Sequence, residues 1–250
     1  MSLTPYLHLE VTLEGAGEGT TVPLPPATSH HLRRVLRLRD GAAVVVADGR
    51  GGEARASLTA DGLKLDAAPQ RRRPRRPRLV LAQALPKARK LDEVLRQAVE
   101  LGVDEVRVLE TERCVARLEE ERLESARERW AGVVRAACEQ ARRPDRPAVQ
   151  GPIRLDHLGR DEEVLLLAHP GSPALPSVAD ELVGAATIVL AVGPEGGFTD
   201  TELADAVAGG ALVVGLGPDV LRTEHAGAAG LAVLAAGVGR WGSEPDATPC

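Results

Sequence analysis

The segment from Pro69 to Arg78, PQRRRPRRPR, constrains the fold more than any other part of this chain. Its three prolines interrupt helices and remove hydrogen-bond donors from strands, and its six arginines are too hydrophilic for a packed core. The pattern of apolar residues also changes across it. We therefore expect two domains, at residues 1–70 and 79–242, joined by an Arg/Pro-rich linker at 71–78 and followed by a flexible tail at 243–250.

The residues before this segment follow a β pattern. Short apolar or alternating runs between Gly-rich turns predict strands at residues 7–13, 43–47, 54–58 and 63–65. One short helix is expected from Ser29 to Leu36, with Ser29 as its N-cap. Such a pattern is typical of a small β-barrel.

The residues after the segment alternate between strand and helix patterns, which indicates an α/β domain. Strands are expected at LVLAQAL, VDEVRVL, EVLLLAHP, TIVLAV and ALVVGL. Helices are expected at residues 90–101, 118–141 and 223–236. A further helix begins at Thr199, where Glu202 completes a capping box.

Two of these strands run into glycine-rich loops. TIVLAV is followed by GPEGG (residues 193–197), and ALVVGL is followed by LGPDVLRTE (residues 216–224). A third loop, HPGSP (residues 169–173), follows EVLLLA. Glycine lets the backbone approach a ligand closely, and parallel sheets bind ligands beyond the carboxyl ends of their strands. The loops predict a ligand pocket, although a tight connection without a ligand fits the pattern of GPEGG alone.

Individual side chains in these loops have simple expectations. Glu195 stands between glycines and faces either a ligand or water. Thr223 is predicted to cap the last helix, which places Glu224 in the first turn, where the helix dipole favours an acid. Arg222 lacks an acidic partner on this helix, and this favours a role at the mouth of the loop.

The charge is distributed unevenly along the chain. The formal net charge is −5, yet residues 1–78 carry +5, residues 79–150 carry 0 and residues 151–250 carry −10. A basic front could meet a polyanion such as RNA, and the arginines of the linker either contact phosphate or are simply solvated. The four aromatic residues are too few for a base-stacking sheet, so arginine would supply most RNA contacts.

Several common chemistries are missing from the sequence. It contains no P-loop, no dinucleotide fingerprint and no GxSxG elbow. The six histidines show no metal-ligand spacing, so no metal is expected. The three cysteines are scattered, which indicates free thiols. No apolar run reaches membrane-spanning length and the N-terminus lacks a signal-peptide layout, so we expect no membrane partner and a cytoplasmic location.

The two loop motifs also carry a resemblance to a known family. GPEGGFTDTEL followed by LGPDVLRTEHA, with RQAVELGV and RAACEQARR before them, resembles the RsmE family of SPOUT methyltransferases, which methylate N3 of a uridine in 16S small-subunit ribosomal RNA. HHLRRVLRLRDGAAVVVADGRGGEARASL is similar to that family's PUA-like domain. The resemblance implies an N-terminal PUA-like β-barrel domain, a C-terminal α/β trefoil-knot methyltransferase domain, a homodimer, and S-adenosyl-L-methionine as methyl donor.

The resemblance also implies roles for individual residues. The catalytic residues would be Arg222, which would hold charge on the uracil, and either Glu224 or Glu139 as proton acceptor. The cofactor-binding residues would be Leu167, His169, Pro170, Gly193, Pro194, Glu195, Gly196, Gly197, Leu216, Gly217, Val220 and Leu221. The basic front and the linker predict RNA contacts from Arg33, Arg34, Arg37, Arg71, Arg72 and Arg73, and the resemblance adds Arg143.

Two positions depart from the family pattern, since Gln97 replaces a frequent lysine and Pro144 replaces a frequent asparagine. Two other functions remain open at this point. The chain could be a non-catalytic RNA-binding factor in ribosome assembly, or a SPOUT methyltransferase that acts on tRNA.

Overall fold

The computed structural model describes residues 4–87, 90–159 and 162–242. These residues divide into two compact units, one with residues 4–73 and 138–146, and the other with the rest of 74–242. Within the segment expected as a linker, Gln70–Arg71 forms a short strand and Arg78 begins another. The expected tail, 243–250, lies outside the described residues.

The first unit is built on a mixed, mainly antiparallel sheet. Its strand order is β1-β3-β4-β5-β2, with β6 paired to β4. Burial alternates along the central strand, as expected when one face of a strand packs on the core. The strands are β1 (Tyr6–His8), β2 (Thr21–Val22), β3 (Ala43–Ala47), β4 (Gly52–Thr59), β5 (Gly62–Leu65) and β6 (Gln70–Arg71).

Two predictions for this unit were wrong in their bounds. The first strand ends at His8 rather than at Leu13, although Leu9 and Leu13 still pack into the core. The short helix α1 spans Pro26–His30 and continues as a π-type turn over His31–Val35, so Ser29 is an interior residue and not the N-cap. The helix begins earlier because a proline at its first position has the φ angle that a helix needs and lacks only an N–H that would be unpaired there.

The second unit is a six-stranded sheet in which all strands are parallel. The strand order is β12-β10-β11-β7-β8-β9, and helices form the connections, which confirms the predicted α/β alternation. The strands are β7 (Arg78–Ala84), β8 (Glu105–Glu110), β9 (Ala148–Arg154), β10 (Glu163–Ala168), β11 (Thr187–Val192) and β12 (Leu212–Val214). The helices are α2 (Lys90–Glu100), α3 (Glu120–Gln140, of which residues 138–140 belong to the first unit), α4 (Asp200–Ala208) and α5 (Thr223–Gly237).

The structure adds three strands that the sequence did not predict, the two-residue strands β2 and β6 in the first unit and β9 in the second. Strand β9 lies at the sheet edge and contains Gly151 and Pro152, which both weaken a strand pattern. The capping box of α4 is confirmed, because the Thr199 hydroxyl accepts the N–H of Glu202 at 3.1 Å and the Glu202 carboxylate accepts the N–H of Thr199 at 2.8 Å. The topology also places β10, β11 and β12 at one side of the sheet, so the loops at their carboxyl ends are neighbours.

Candidate methyl-donor cleft

The loops that follow β10, β11 and β12 surround a cleft of about 420 Å³. The first residue of α2 and the first turn of α5 complete its wall. The predicted site residues on this wall are His169, Pro170, Gly193, Pro194, Glu195, Gly197, Leu216, Gly217, Val220, Leu221, Arg222 and Glu224. A cleft at the carboxyl ends of parallel strands is where open α/β sheets bind their ligands.

The GPEGG loop is a compact turn whose shape requires glycine. The N–H of Gly197 donates to the carbonyl of Pro194 at 2.8 Å, and Gly197 has a φ of +69°. A Cβ at Gly193 would lie 3.2 Å from the carbonyl carbon of Gly197, closer than most side-chain contacts. Arg113 holds the end of the loop, because its Nη1 donates to the carbonyls of Gly196 and Phe198. The loop is therefore held in shape from both its own backbone and a neighbouring side chain.

The loops after β10 and β12 continue the sheet pairing of the strands that precede them. The N–H of His169 donates to the carbonyl of Val214 at 2.9 Å, and the N–H of Gly215 donates to Pro173 at 2.7 Å. A Cβ at Gly215 would lie 2.5 Å from the carbonyl oxygen of Ser172, so only glycine allows this approach. These contacts give two walls of the cleft a defined backbone path.

Thr223 does not cap helix α5, contrary to the prediction. The N-cap residue is Arg222, and it makes no side-chain capping bond. The Thr223 hydroxyl instead donates to the carbonyl of Gly193 at 2.7 Å and accepts from Nε2 of Gln83 at 2.9 Å. The buried carbonyl of Gly193 therefore has a hydrogen-bond donor, as buried carbonyls generally require. This hydrogen bond joins the GPEGG loop to the start of α5.

Glu224 forms an ion pair inside the cleft. Its Oε1 lies 2.9 Å from Nζ of Lys90, while its Oε2 is buried without a hydrogen-bond partner. The hydrogen bond from Lys90 lowers the pKa of Glu224, and so do the backbone hydrogen bond of Glu224 and the charges of Lys90 and His225. Glu224 is therefore a carboxylate at neutral pH, and one of its oxygens lacks a hydrogen-bond partner.

Lys90 is a site residue that the sequence analysis did not identify. It lines the cleft from the first position of α2. A cation is unfavourable at a helix N-terminus because of the helix dipole, so a lysine there suggests an acidic partner elsewhere. That signal was present in the sequence, but only the fold shows that the partner is Glu224.

Arg222 lies at the mouth of the cleft, as expected. Its side chain is exposed, and within the residues that the structure describes it makes no hydrogen bond or ion pair. Val220 and Leu221 precede it and are also unusually exposed for apolar residues, Val220 at 79%. The mouth of the cleft thus combines one unpaired cation with an apolar rim.

Three predicted residues do not line the cleft. Leu167 is fully buried in the core on one face of the sheet, so it supports the wall from behind. Gly196 is in the loop, but its backbone turns toward Arg113. Glu139 belongs to the first unit, where its Oε1 accepts the N–H of His8 at 3.0 Å. Of the two proposed proton acceptors, only Glu224 is in the cleft.

The predicted RNA-binding arginines of the first unit differ in their surroundings. Arg34 and Arg37 are exposed, and Arg37 has a φ of 55°. Arg33 is half-buried, pairing with Asp40 at 2.8 Å and donating to the carbonyl of Thr59 at 2.6 Å. Arg34 and Arg37 are therefore the more accessible members of this group.

The arginines near the segment boundary also differ from each other. Arg71 and Arg73 are exposed, and Arg72 lies 3.5 Å from Asp145. Arg143 is only 6% exposed, and its Nε and Nη2 both donate to Oδ2 of Asp145. This burial corrects the expectation that Arg143 contacts phosphate, because its guanidinium is engaged inside the unit.

Neither metal ligation nor a membrane span is seen in the described ranges. No group of three or more His, Cys, Asp or Glu side chains there could hold a metal ion. No helix among them is long and apolar enough to cross a bilayer.

Comparison with models of known families identifies the class of protein to which the chain belongs. Residues 73–235 match the model of an RNA methyltransferase domain, and residues 24–66 match the model of an RNA methyltransferase PUA domain. These matches confirm an α/β methyltransferase domain with an N-terminal PUA domain. The first covers the whole cleft.

Closer relatives carry one family name. The chain is 33% identical to ribosomal RNA small subunit methyltransferase E of Mycobacterium bovis over 232 residues, which is 88% of this chain and 87% of the relative. It is 36% identical to the Synechocystis enzyme of that name over 224 residues, 86% of this chain and 72% of the relative. The Neisseria gonorrhoeae enzyme, solved with bound S-adenosyl methionine, superposes with a TM-score of 0.81 at 29% identity, covering 94% of this chain and 98% of that one. The chain belongs to the ribosomal RNA small subunit methyltransferase E family.

Proposed function

We propose that this protein transfers a methyl group from S-adenosyl-L-methionine to N3 of one uridine in 16S small-subunit ribosomal RNA. The observation that carries the proposal is the cleft formed by the loops after β10, β11 and β12, which contains Arg222 and the Lys90–Glu224 pair. The Neisseria gonorrhoeae relative binds S-adenosyl methionine, and family membership supports the same donor here.

The residues of the cleft fit a nucleoside-like donor with a positive charge. The glycines at 193 and 197 let backbone groups approach the ligand closely, which suits hydrogen bonds to an adenine edge or to ribose hydroxyls. The carboxylate of Glu195 is on the wall and would balance a sulfonium or an amino group. We therefore propose that the three loops bind the donor.

S-adenosylmethionine would supply an electrophilic methyl group at this site, and the electron pair of the broken C–S bond would leave with S-adenosylhomocysteine. Uracil N3 carries a proton, which must leave as the new bond to N3 forms. Arg222 donates hydrogen bonds to a uracil carbonyl and stabilises the negative charge that develops there. Glu224, which lines the cleft, accepts the N3 proton. A carboxylate of low pKa suffices, because N3 becomes strongly acidic once the methyl group begins to bond to it.

The basic first unit supports the proposal of an RNA-binding domain. We propose domain bounds of 1–70 and 79–242, with phosphate contacts from Arg33, Arg34, Arg37, Arg71, Arg72 and Arg73. Each phosphate that the protein neutralises makes log K fall more steeply with log salt, by nearly one unit of slope. Replacing Arg34 and Arg37 by alanine should therefore reduce that slope by about two. Filter binding to 16S RNA between about 50 and 200 mM salt measures this slope. An unchanged slope would mean that the RNA-binding surface lies elsewhere.

We also propose a cytoplasmic homodimer with a trefoil knot in the second unit, as family resemblance implies. Exposed apolar side chains support a covered surface at the cleft mouth, since Val220 is 79% and Leu221 38% exposed. Light scattering on the purified protein tests the dimer. A monomeric mass at the concentration used for the activity assay would refute it.

The experiment that tests the function is methyl transfer from tritiated S-adenosylmethionine. The acceptors are small ribosomal subunits, free 16S RNA and bulk tRNA, each followed by nucleoside mass spectrometry. We expect tritium in 3-methyluridine from small-subunit RNA. Label in tRNA alone would favour the tRNA methyltransferase, and RNA binding without any label would favour the assembly factor.

A further inference from the structure

Gln83 is a buried polar residue in the middle of the parallel sheet. It lies on β7 and is completely inaccessible to solvent. Its Nε2 donates to the hydroxyl of Thr223 at 2.9 Å and to the carbonyl of Ala84 at 3.3 Å, while its Oε1 has no partner. A core glutamine with an unsatisfied oxygen costs stability, which suggests that the amide is retained for its contact with Thr223.

The amide of Gln83 determines where the hydroxyl hydrogen of Thr223 points. A threonine hydroxyl has one hydrogen to donate, and its lone pairs accept. Since Gln83 donates to Thr223, the hydroxyl hydrogen is free to point toward the carbonyl of Gly193, 2.7 Å away. Thr223 is 6% exposed and Gly193 is buried, so water does not compete effectively for this bond. The three groups form one directed chain of hydrogen bonds.

Helix α5 packs closely enough on β7 for this chain to form. Gly227 lies one turn after Thr223, and a Cβ there would be 3.0 Å from Oε1 of Gln83 and 3.2 Å from both Cδ atoms of Leu81. Because Gly227 has no side chain, there is space for the side-chain amide of Gln83. The sequence of α5 is therefore adapted to hold Gln83 against Thr223.

The chain of hydrogen bonds joins the two sides of the cleft. Gly193 begins the loop that we propose binds the methyl donor. Thr223 stands between Arg222 and Glu224, which we propose act on the uracil that accepts the methyl group. We propose that Thr223, oriented by Gln83, is a positioning residue that sets the donor loop against this catalytic pair. The inference rests on the proposed function only in assigning the donor to this cleft.

The test is donor affinity, measured apart from methyl transfer. Thr223→Val replaces the hydroxyl with a methyl group of similar size and leaves the Gly193 carbonyl without its donor. We expect S-adenosylhomocysteine to bind at least tenfold more weakly in isothermal titration calorimetry, about 1.4 kcal/mol. Thr223→Ser should restore binding to within about threefold, because serine returns the hydroxyl. KM for the donor should rise more than kcat falls.

A matched control separates positioning from general destabilisation. Thr111 is another buried threonine of the second unit, and its hydroxyl lies 3.3 Å from Sγ of Cys114, outside the donor cleft. Thr111→Val should alter thermal stability but not donor affinity. If Thr223→Val bound S-adenosylhomocysteine as tightly as the wild type does, the proposal would be overturned.

Gln83→Met provides a second, independent variant, since it removes the amide but keeps the volume. We expect it to weaken binding about threefold, and the double variant with Thr223→Val to bind no more weakly than Thr223→Val alone. Independent, multiplying effects would contradict a single chain of hydrogen bonds. The proposed function fails separately, if the wild type binds S-adenosylhomocysteine but labels no RNA.

Discussion

Arg222 offers the sharpest test of how the cleft works. Its guanidinium is exposed at the cleft mouth and makes no hydrogen bond or ion pair with the other described residues. It also contributes no side-chain cap to α5. Replacing Arg222 by alanine therefore removes a charge without breaking an internal contact. We expect an unchanged melting temperature and unchanged binding of the donor.

The size of the effect follows from the role that we propose. A hydrogen bond from a charged group contributes about 1.5–3 kcal/mol, and here it would act on charge that develops only in the transition state. The loss corresponds to a fall in kcat of about 10- to 100-fold. Donor KM should change little, because Gly193, Glu195 and the neighbouring backbone remain in place.

The assay is single-turnover methyl transfer to small-subunit RNA at saturating donor. Arg96→Ala is a matched control, since Arg96 is an exposed arginine of the same unit and, among the described residues, pairs only with Glu93 on α2. The control should retain wild-type turnover. Undiminished turnover in Arg222→Ala, or a loss seen only as higher donor KM, would remove Arg222 from the acceptor side of the mechanism.

Three further substitutions test other parts of the account. Lys90→Met removes the main cause of the low pKa of Glu224, so the acid limb of the kcat/KM pH profile should move to higher pH; an unmoved limb would mean that Glu224 is not the acceptor. Gly197→Ala forces a side chain into a left-handed conformation, so it should lower the free energy of unfolding by roughly 1–2 kcal/mol and also weaken donor binding. Calorimetry measures the binding, and unchanged donor affinity would place the loop outside the site. Arg143→Met should lower stability in urea at pH 7 by about 1–2 kcal/mol, since Asp145 is partly exposed and screened. The Arg143 charge holds the pKa of Asp145 below its usual range, so this difference should shrink as pH falls below about 4, and a constant difference would exclude the pair as its cause.

Much of the second unit could be predicted from local patterns. Apolar runs between turn signals marked five of its six parallel strands, and the capping box at Thr199 marked the start of α4. Strand β9 was missed because Gly151 and Pro152 mask it. In the first unit, the helix start was misplaced because Ser29 looks like a cap, although the proline pair before it decides where the helix begins.

The parts of the site formed by loop backbone could be predicted from the sequence. The contacts between side chains that are distant in the sequence could not. The glycine-rich loops identified the cleft because glycine permits backbone conformations and close approaches that other residues do not. The Lys90–Glu224 pair and the contact of Gln83 with Thr223 join residues more than 130 positions apart in the sequence. Spacing carries no information about such contacts, since they depend on the strand order of the sheet.

The burial of Arg143 illustrates the same limit. In the sequence it is one arginine among many, and the resemblance to the family suggested an RNA contact for it. The fold instead places it against Asp145, where the charge is neutralised. A residue type alone does not distinguish a surface cation from a buried partner.

The central claim is that this chain methylates N3 of one uridine in small-subunit ribosomal RNA. Nucleoside mass spectrometry of that RNA, from cells with and without the gene for this protein, tests it most directly. The account predicts that deletion removes one 3-methyluridine, and that the wild-type gene, but not the Arg222→Ala form, restores it fully. An unchanged content of 3-methyluridine in small-subunit RNA after deletion would contradict the account.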